Sequence, residues 1–227
     1  MNVSVVLPSF NRARLLPITI PTYFQEDVSE VILVDDCSSD NTAEVVKELQ
    51  TRFPTLRYFR NEVNSKQPYT QNVAISKVQS EYIYFGDDDS VLYPGSIRNL
   101  LNVMREKNAD IVGGRALALF FPEQIDELDE FLSHYRNRIA TEANQIVDLS
   151  TLSTNFTYTV KEPIKVPFCH ASCLCKTQVA REMQFDVKIE GNAYREETDF
   201  LIRATLAGYT IYSVSYTHLT LPTTSRV

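Results

Sequence analysis

Three short runs rich in β-branched and aromatic residues, 3–7, 31–34 and 82–85, stop abruptly, and helical spacing follows each of them. Runs this short and this continuously apolar suit strands covered on both faces, the pattern of a parallel sheet flanked by helices. Pro8 ends the first run, Asp35 the second and Gly86 the third. Residues 14–24 read as a helix that tolerates Pro17 near its first turn. Ala43, Val46 and Leu49 mark a second helix, capped by Ser39 or Asp40. Residues 56–60 and 109–112 are further strand candidates, and 70–78 and 96–107 further helices. This alternation predicts an α/β fold with right-handed crossovers. Ligands of such sheets gather at the carboxyl ends of the strands. Two aspartate clusters, Asp35-Asp36 and Asp87-Asp88-Asp89, fall at those ends.

With 227 residues, the chain suits one α/β domain that buries roughly 70% of its unfolded surface without disulfides. Its net charge of −7 argues against nucleic acid as a partner, because phosphate contacts need a basic face. No apolar run reaches the ~18 residues that a membrane-spanning helix requires. The first six residues read as a strand and not as a leader, so a cytoplasmic location is expected. Cys169, His170, Cys173 and Cys175 have a zinc-like look, but residues 168–175 also alternate like a strand. Free cysteine packs as a small hydrophobe, so core packing is the favoured reading.

Three adjacent carboxylates repel one another strongly unless a counter-charge is supplied. A hard divalent cation supplies it, and oxygen ligands suit Mn²⁺ or Mg²⁺. Aspartates two apart on an extended segment point to the same side, so Asp87 and Asp89 are expected to act together. Asp35 and Asp36 are placed to accept hydrogen bonds from a base or ribose, although Asp and Ser are also ordinary turn residues. A third acidic stretch, Glu196, Glu197 and Asp199, opens a helix that runs to Gly208. Acids there also complement the helix dipole, so good helix design competes with a general-base role.

Taken in order, Val3 to Arg12, Val34 to Asp40, Phe85 to Asp89 and Glu197-Thr198-Asp199 resemble the family 2 glycosyltransferases of GT-A fold. The resemblance spans roughly residues 1–212 and implies a mainly parallel, Rossmann-like sheet flanked by helices. It also implies metal-dependent transfer of a sugar from a nucleotide-diphosphate sugar to an acceptor hydroxyl, with inversion, in polysaccharide or glycoconjugate synthesis. Carried over by position, Pro8, Arg12, Asp35, Asp36, Asp87 and Asp88 would bind the nucleotide. Asp87 and Asp89 would hold Mn²⁺ or Mg²⁺. Asp199 would be the catalytic base, with Glu197 as the second candidate. The donor is expected to be a UDP-sugar and the acceptor a glycan, a lipid-linked sugar or a small molecule, with peripheral association at the inner membrane face. The sequence departs from the family pattern at Asn61-Glu62-Val63 and Thr70-Gln71-Asn72, where a glycine and an arginine are missing. Gly86 replaces a larger apolar residue.

Residues 120–144 carry acids with Ile125, Leu128, Phe131 and Leu132 at helical spacing, and are expected to form an amphipathic helix. They sit within 113–165, expected to include an acceptor-side insertion. After Tyr212 the texture changes. Residues 213–227 resemble a translated sequencing adapter and are expected to be a non-native tail on a C-terminally truncated domain, so His218 is given no functional weight. A nucleotidyltransferase would share the strand-end carboxylates but should carry a glycine-rich basic loop after the first strand. Here that loop is Pro8-Ser9-Phe10-Asn11-Arg12. A non-catalytic nucleotide- or metal-binding domain is the remaining alternative.

Overall fold

The computed structural model describes residues 3–118, 128–135, 137–189 and 195–220. The first half alternates as expected: β1 (Val3–Ser9), α1 (Leu16–Tyr23), β2 (Val28–Asp35), α2 (Thr42–Arg52), β3 (Leu56–Arg60), α3 (Lys66–Lys77) and β4 (Tyr82–Phe85). A short β5 (Ser90–Leu92), α4 (Ser96–Glu106) and β6 (Ile111–Ala118) follow. The middle holds small elements: α5 (Leu128–Ser133), β7 (Ile139–Ala140), α6 (Ala143–Ile146), β8 (Val147–Asp148), β9 (Ser153–Thr154), β10 (Thr159–Val160) and β11 (Ile164–Lys165). The chain closes with β12 (Cys173–Lys176), α7 (Thr177–Met183), α8 (Glu196–Leu206) and β13 (Ile211–Thr220).

Among the described residues one large sheet has the order β11-β13-β6-β12-β4-β1-β2-β3, with β5 paired to β13. β1 pairs in parallel with both β2 and β4, and β2 with β3. β12 is antiparallel to both of its neighbours, β4 and β6, so these two run the same way. The sheet is therefore mainly parallel, and its strand order reverses at β1.

Both faces of the central strands are covered by helices, so the inner parts of β2 and β4 are buried and apolar. Val6, Ile32, Val34, Ile83 and Phe85 pack against α3, α7 and α8 through Ile75, Val179, Phe200 and Leu201. The alternate residues Val5, Leu7, Val31, Leu33 and Tyr84 pack against α1, α2 and α4 through Leu16, Ile20, Val46 and Ile97. Cys169, Cys173 and Cys175 lie in the first of these cores.

Several elements depart from the sequence reading. α3 begins four residues before the expected start at 70, and β6 continues through Gly113 and Gly114 to Ala118. Gly113 allows this because a Cβ there would lie 2.4 Å from Cys169 Cβ. Of the helix expected over 120–144, α5 covers Leu128–Ser133, and residues 119–127 and 136 lie outside the described ones. A capping box between Glu142 and Gln145 opens α6, and a chain that starts a new helix there cannot run through it as an old one. The strand expected over 168–175 is confined to β12. The residues set apart as a tail continue β13 along β6 and β5 as far as Thr220. A ladder of backbone hydrogen bonds accepts most side chains, so this pairing says nothing of their origin.

Candidate active site

The loops after β1, β2 and β4 meet at one end of the sheet. The first two are tied together. The Asn11 N–H donates to Ser38 Oγ at 2.8 Å, and Asn11 Oδ1 accepts from the backbone of Ser39 at 2.8 Å. Asn11 takes a φ of 55°, a conformation that asparagine tolerates better than most residues.

Asp35 and Asp36 do different work. Asp35 is fully buried, and its carboxylate accepts from the Ser38 N–H at 2.8 Å, the Tyr58 hydroxyl at 2.6 Å and Arg60 at 3.1 Å. Burial, with the bond to Asp35, pushes the Tyr58 phenol up to about 12. Asp36 is also buried but reaches the cavity at the strand ends. Its Oδ1 accepts from Asn61 Nδ2 and the Ser65 N–H, and its Oδ2 from the Lys66 N–H, each at 2.8 Å. It borders a cavity of about 280 Å³, also lined by Pro8, Phe10, Arg12, Gln67 and Asp88. Of the two aspartates, only Asp36 lines this cavity.

The turn after β4 is gripped from below by Tyr23. Its hydroxyl donates to the Asp87 carbonyl at 2.8 Å and accepts from the Asp87 N–H at 3.1 Å. Gly86 makes room for that ring, since a Cβ there would stand 2.7 Å from Leu7 Cδ2 and 2.9 Å from Tyr23 Cε1. The unusual glycine is thus a packing partner of Tyr23. The carboxylate of Asp87 accepts from Ser172 Oγ at 2.6 Å. That of Asp88 lies 3.5 Å from Arg12 Nε, a buried atom with no hydrogen-bond partner. Burial and the charge of Asp89 push Asp88 up to about 7, and burial with the charge of Asp87 raises Asp89 as well.

The first turn of α8 adds two carboxyls. Glu196 is buried, and burial with the charge of Glu197 pushes it up to about 8. Burial raises Glu197 too, and the charge of Asp87 adds to that rise. Glu197 Oε1 accepts from Gln67 Nε2 of α3 at 3.3 Å, which ties the turn to a cavity-lining residue. Asp199 is placed differently. It is ion-paired with Arg203 at 2.8 Å, and Arg203 also donates to the carbonyls of Met183 and Gln184 at 2.7 Å. Of the two candidate bases, Glu197 senses the Asp87 cluster, while Asp199 is held to the α7 side of its helix.

Partly buried carboxylates whose affinity for protons is raised by one another are short of positive charge. Their hard oxygen donors fit Mn²⁺ or Mg²⁺, which commonly bind one or two carboxylates and fill the remaining positions with water or phosphate oxygens. Among the described residues no group of three or more His, Cys, Asp or Glu side chains is arranged to hold a metal. Asp87 and Asp89 would therefore hold a cation that takes its other ligands from solvent or a bound phosphate.

Sequence reasoning missed Tyr23, Gln67, His170 and Ser172. Tyr23 reads as an ordinary apolar helix position. His170 and Ser172 lie in the cysteine-rich stretch read as core. His170 is half-buried, with Phe156 edge-on at 5.5 Å, and desolvation lowers its pKa.

The family model for Glycosyl transferase family 2 matches residues 4–174, a span that takes in the first three of these loops and the Ser172 segment. This chain belongs to glycosyl transferase family 2. Its relatives in the family include the GalNAc(5)-diNAcBac-PP-undecaprenol beta-1,3-glucosyltransferase of Campylobacter jejuni, 33% identical over 114 residues, which are 49% of this chain and 37% of that protein. The Staphylococcus aureus poly(ribitol-phosphate) beta-N-acetylglucosaminyltransferase TarP is 32% identical over 121 residues, 50% of this chain and 36% of TarP. The chain thus spans little more than a third of the length of these curated relatives. Its fold is GT-A. The crystal structure of S. aureus TarS 1–349 in complex with UDP-GlcNAc superposes with a TM-score of 0.69 at 16% identity, covering 100% of this chain and 60% of TarS 1–349. The mannosyltransferase PcManGT of Pyrobaculum calidifontis, in complex with GDP-Man and Mn²⁺, gives 0.65 at 17% identity, covering 98% of this chain and 58% of PcManGT. Among the described residues no helix is long and apolar enough to cross a membrane.

Proposed function

We propose that this chain moves a sugar from a nucleotide-diphosphate sugar to an acceptor hydroxyl with inversion, with Glu197 as the general base. The observation that carries this reading is the meeting of two acidic segments more than a hundred residues apart. Asp87 raises the proton affinity of Glu197, and Gln67 joins Glu197 to the cavity at the strand ends.

The nucleotide is assigned to that cavity, where Pro8, Phe10 and Asp36 meet the base and ribose and Arg12 meets negative charge. Asp87 and Asp89 hold Mn²⁺ or Mg²⁺, which supplies electrostatic stabilisation to the departing diphosphate when bound. Glu197, its proton affinity raised by burial and by the charge of Asp87, takes the proton from the acceptor hydroxyl. Asp199, neutralised by Arg203, serves the helix. The UDP and UDP-GlcNAc complexes of TarS support uridine as the base. The acceptors named for the relatives, one lipid-linked and one a polymer, support an acceptor of that kind here, met at the inner membrane face.

The test is release of UDP from UDP-sugars by the wild type, Glu197→Gln and Asp199→Asn. Loss of a general base is worth about 10²–10⁴-fold, so Glu197→Gln should fall by at least a hundredfold in kcat while Asp199→Asn stays within a few-fold. The reverse order would return the role to Asp199.

A further inference from the structure

The geometry points to Ser172 as a positioning residue for Asp87, one that fixes the rotation of its carboxylate before a cation arrives. This rests on the reading of Asp87 as a metal ligand. Asp87 is clamped between two elements far apart in sequence. Tyr23 holds its backbone N–H and carbonyl from the α1 side, and Ser172 holds Oδ2 from the segment that leads into β12.

The bond from Ser172 is of the strong kind. A hydroxyl donating to a carboxylate at 2.6 Å is charge-assisted. Ser172 is only 1% exposed, so solvent does not compete for its hydroxyl. The serine is itself fixed, because its N–H donates to His170 Nδ1 at 3.1 Å, and the His170 ring is packed against Phe156. A hydrogen bond to a carboxylate restricts rotation about its Cα–Cβ bond, and a ligand already oriented loses less entropy when it captures a metal. Partners that orient metal ligands in this way typically account for 10–100-fold in metal affinity.

The experiment is calorimetric titration of Mn²⁺ into the chain in the presence of UDP, for wild type, Ser172→Ala, Ser172→Thr and Asp89→Ala. Ser172→Ala should weaken Mn²⁺ about tenfold or more, and Ser172→Thr, which keeps the hydroxyl, should recover most of that loss. Thermal melts establish that each variant is folded. Should the alanine variant fail to fold, Ser172→Cys replaces it, with a weaker donor of similar size. Mn²⁺ affinity within twofold of wild type in Ser172→Ala, with Asp89→Ala still impaired, overturns the inference and leaves the metal site standing. Failure of the wild type to bind Mn²⁺ overturns both.

Discussion

Asp88 sits between the two aspartates assigned to the cation, yet it faces Arg12 and the cavity, and its carboxyl titrates near neutrality. Burial is the main cause, and Asp89 adds to it. Because its folded-state value is raised to about 7, folding favours the protonated form. The stabilisation is complete below the unfolded value of about 3.9 and is lost as pH rises through about 7. Metal-free protein in chelator should therefore lose thermal stability over roughly pH 4 to 7, and Asp88→Asn, neutral throughout, should show a shallower slope. Melting curves across that range decide it, and an unchanged slope in the variant would locate the titration elsewhere. A different kind of residue effect is expected at Gly86. There a methyl group meets Leu7 and Tyr23 inside 3.0 Å, and overpacking of this sort costs about 1–3 kcal/mol. Gly86→Ala should lower the midpoint of denaturation, and the cost should shrink in a Tyr23→Ala background because the clashing ring is gone. Equal losses in both backgrounds would place the strain at Leu7 alone.

At the scale of elements, the strands were legible and their partners in space were not. β4 occupies the residues that apolar continuity marks out, because a strand buried on both faces leaves no polar residue to blur its limits. α3 was placed four residues late because its beginning is fixed by a group outside it. The N–H groups of Ser65 and Lys66 are satisfied by Asp36, some thirty residues earlier in the chain, and nothing in the local sequence reports such a cap. Asp36→Ala leaves those donors and the Asn61 amide without their carboxylate. Hydrogen bonds to charged groups are worth about 1.5–3 kcal/mol, so this variant should lose stability on that scale, with hydrogen exchange rising first at the start of α3. Protection unchanged there would mean that the helix starts by its own propensity. The first turn of α8 teaches the same lesson. Acids there look like dipole compensation, and only the fold distinguishes Glu197, bonded to Gln67, from Asp199, bonded to Arg203.

Across the whole molecule, the site is assembled from the loops after β1, β2 and β4, the approach to β12 and the first turn of α8. The first three were readable because ligands of parallel sheets gather where strand order reverses, and each of those strands ends in residues unsuited to a core. The last two depend on how the second half closes the sheet. β12 runs antiparallel between β4 and β6, and that insertion brings Ser172 beside Asp87. A cysteine-rich sequence whose main business is core packing gives no hint of it. The central claim is that the carboxylates after β4 serve a cation and a nucleotide together. It is tested most directly by calorimetric titration of UDP with and without Mn²⁺, on the wild type and on Asp89→Ala. The account predicts binding that requires Mn²⁺ and is lost in the variant. UDP binding that is equally tight without the metal, or unaltered by Asp89→Ala, would contradict it.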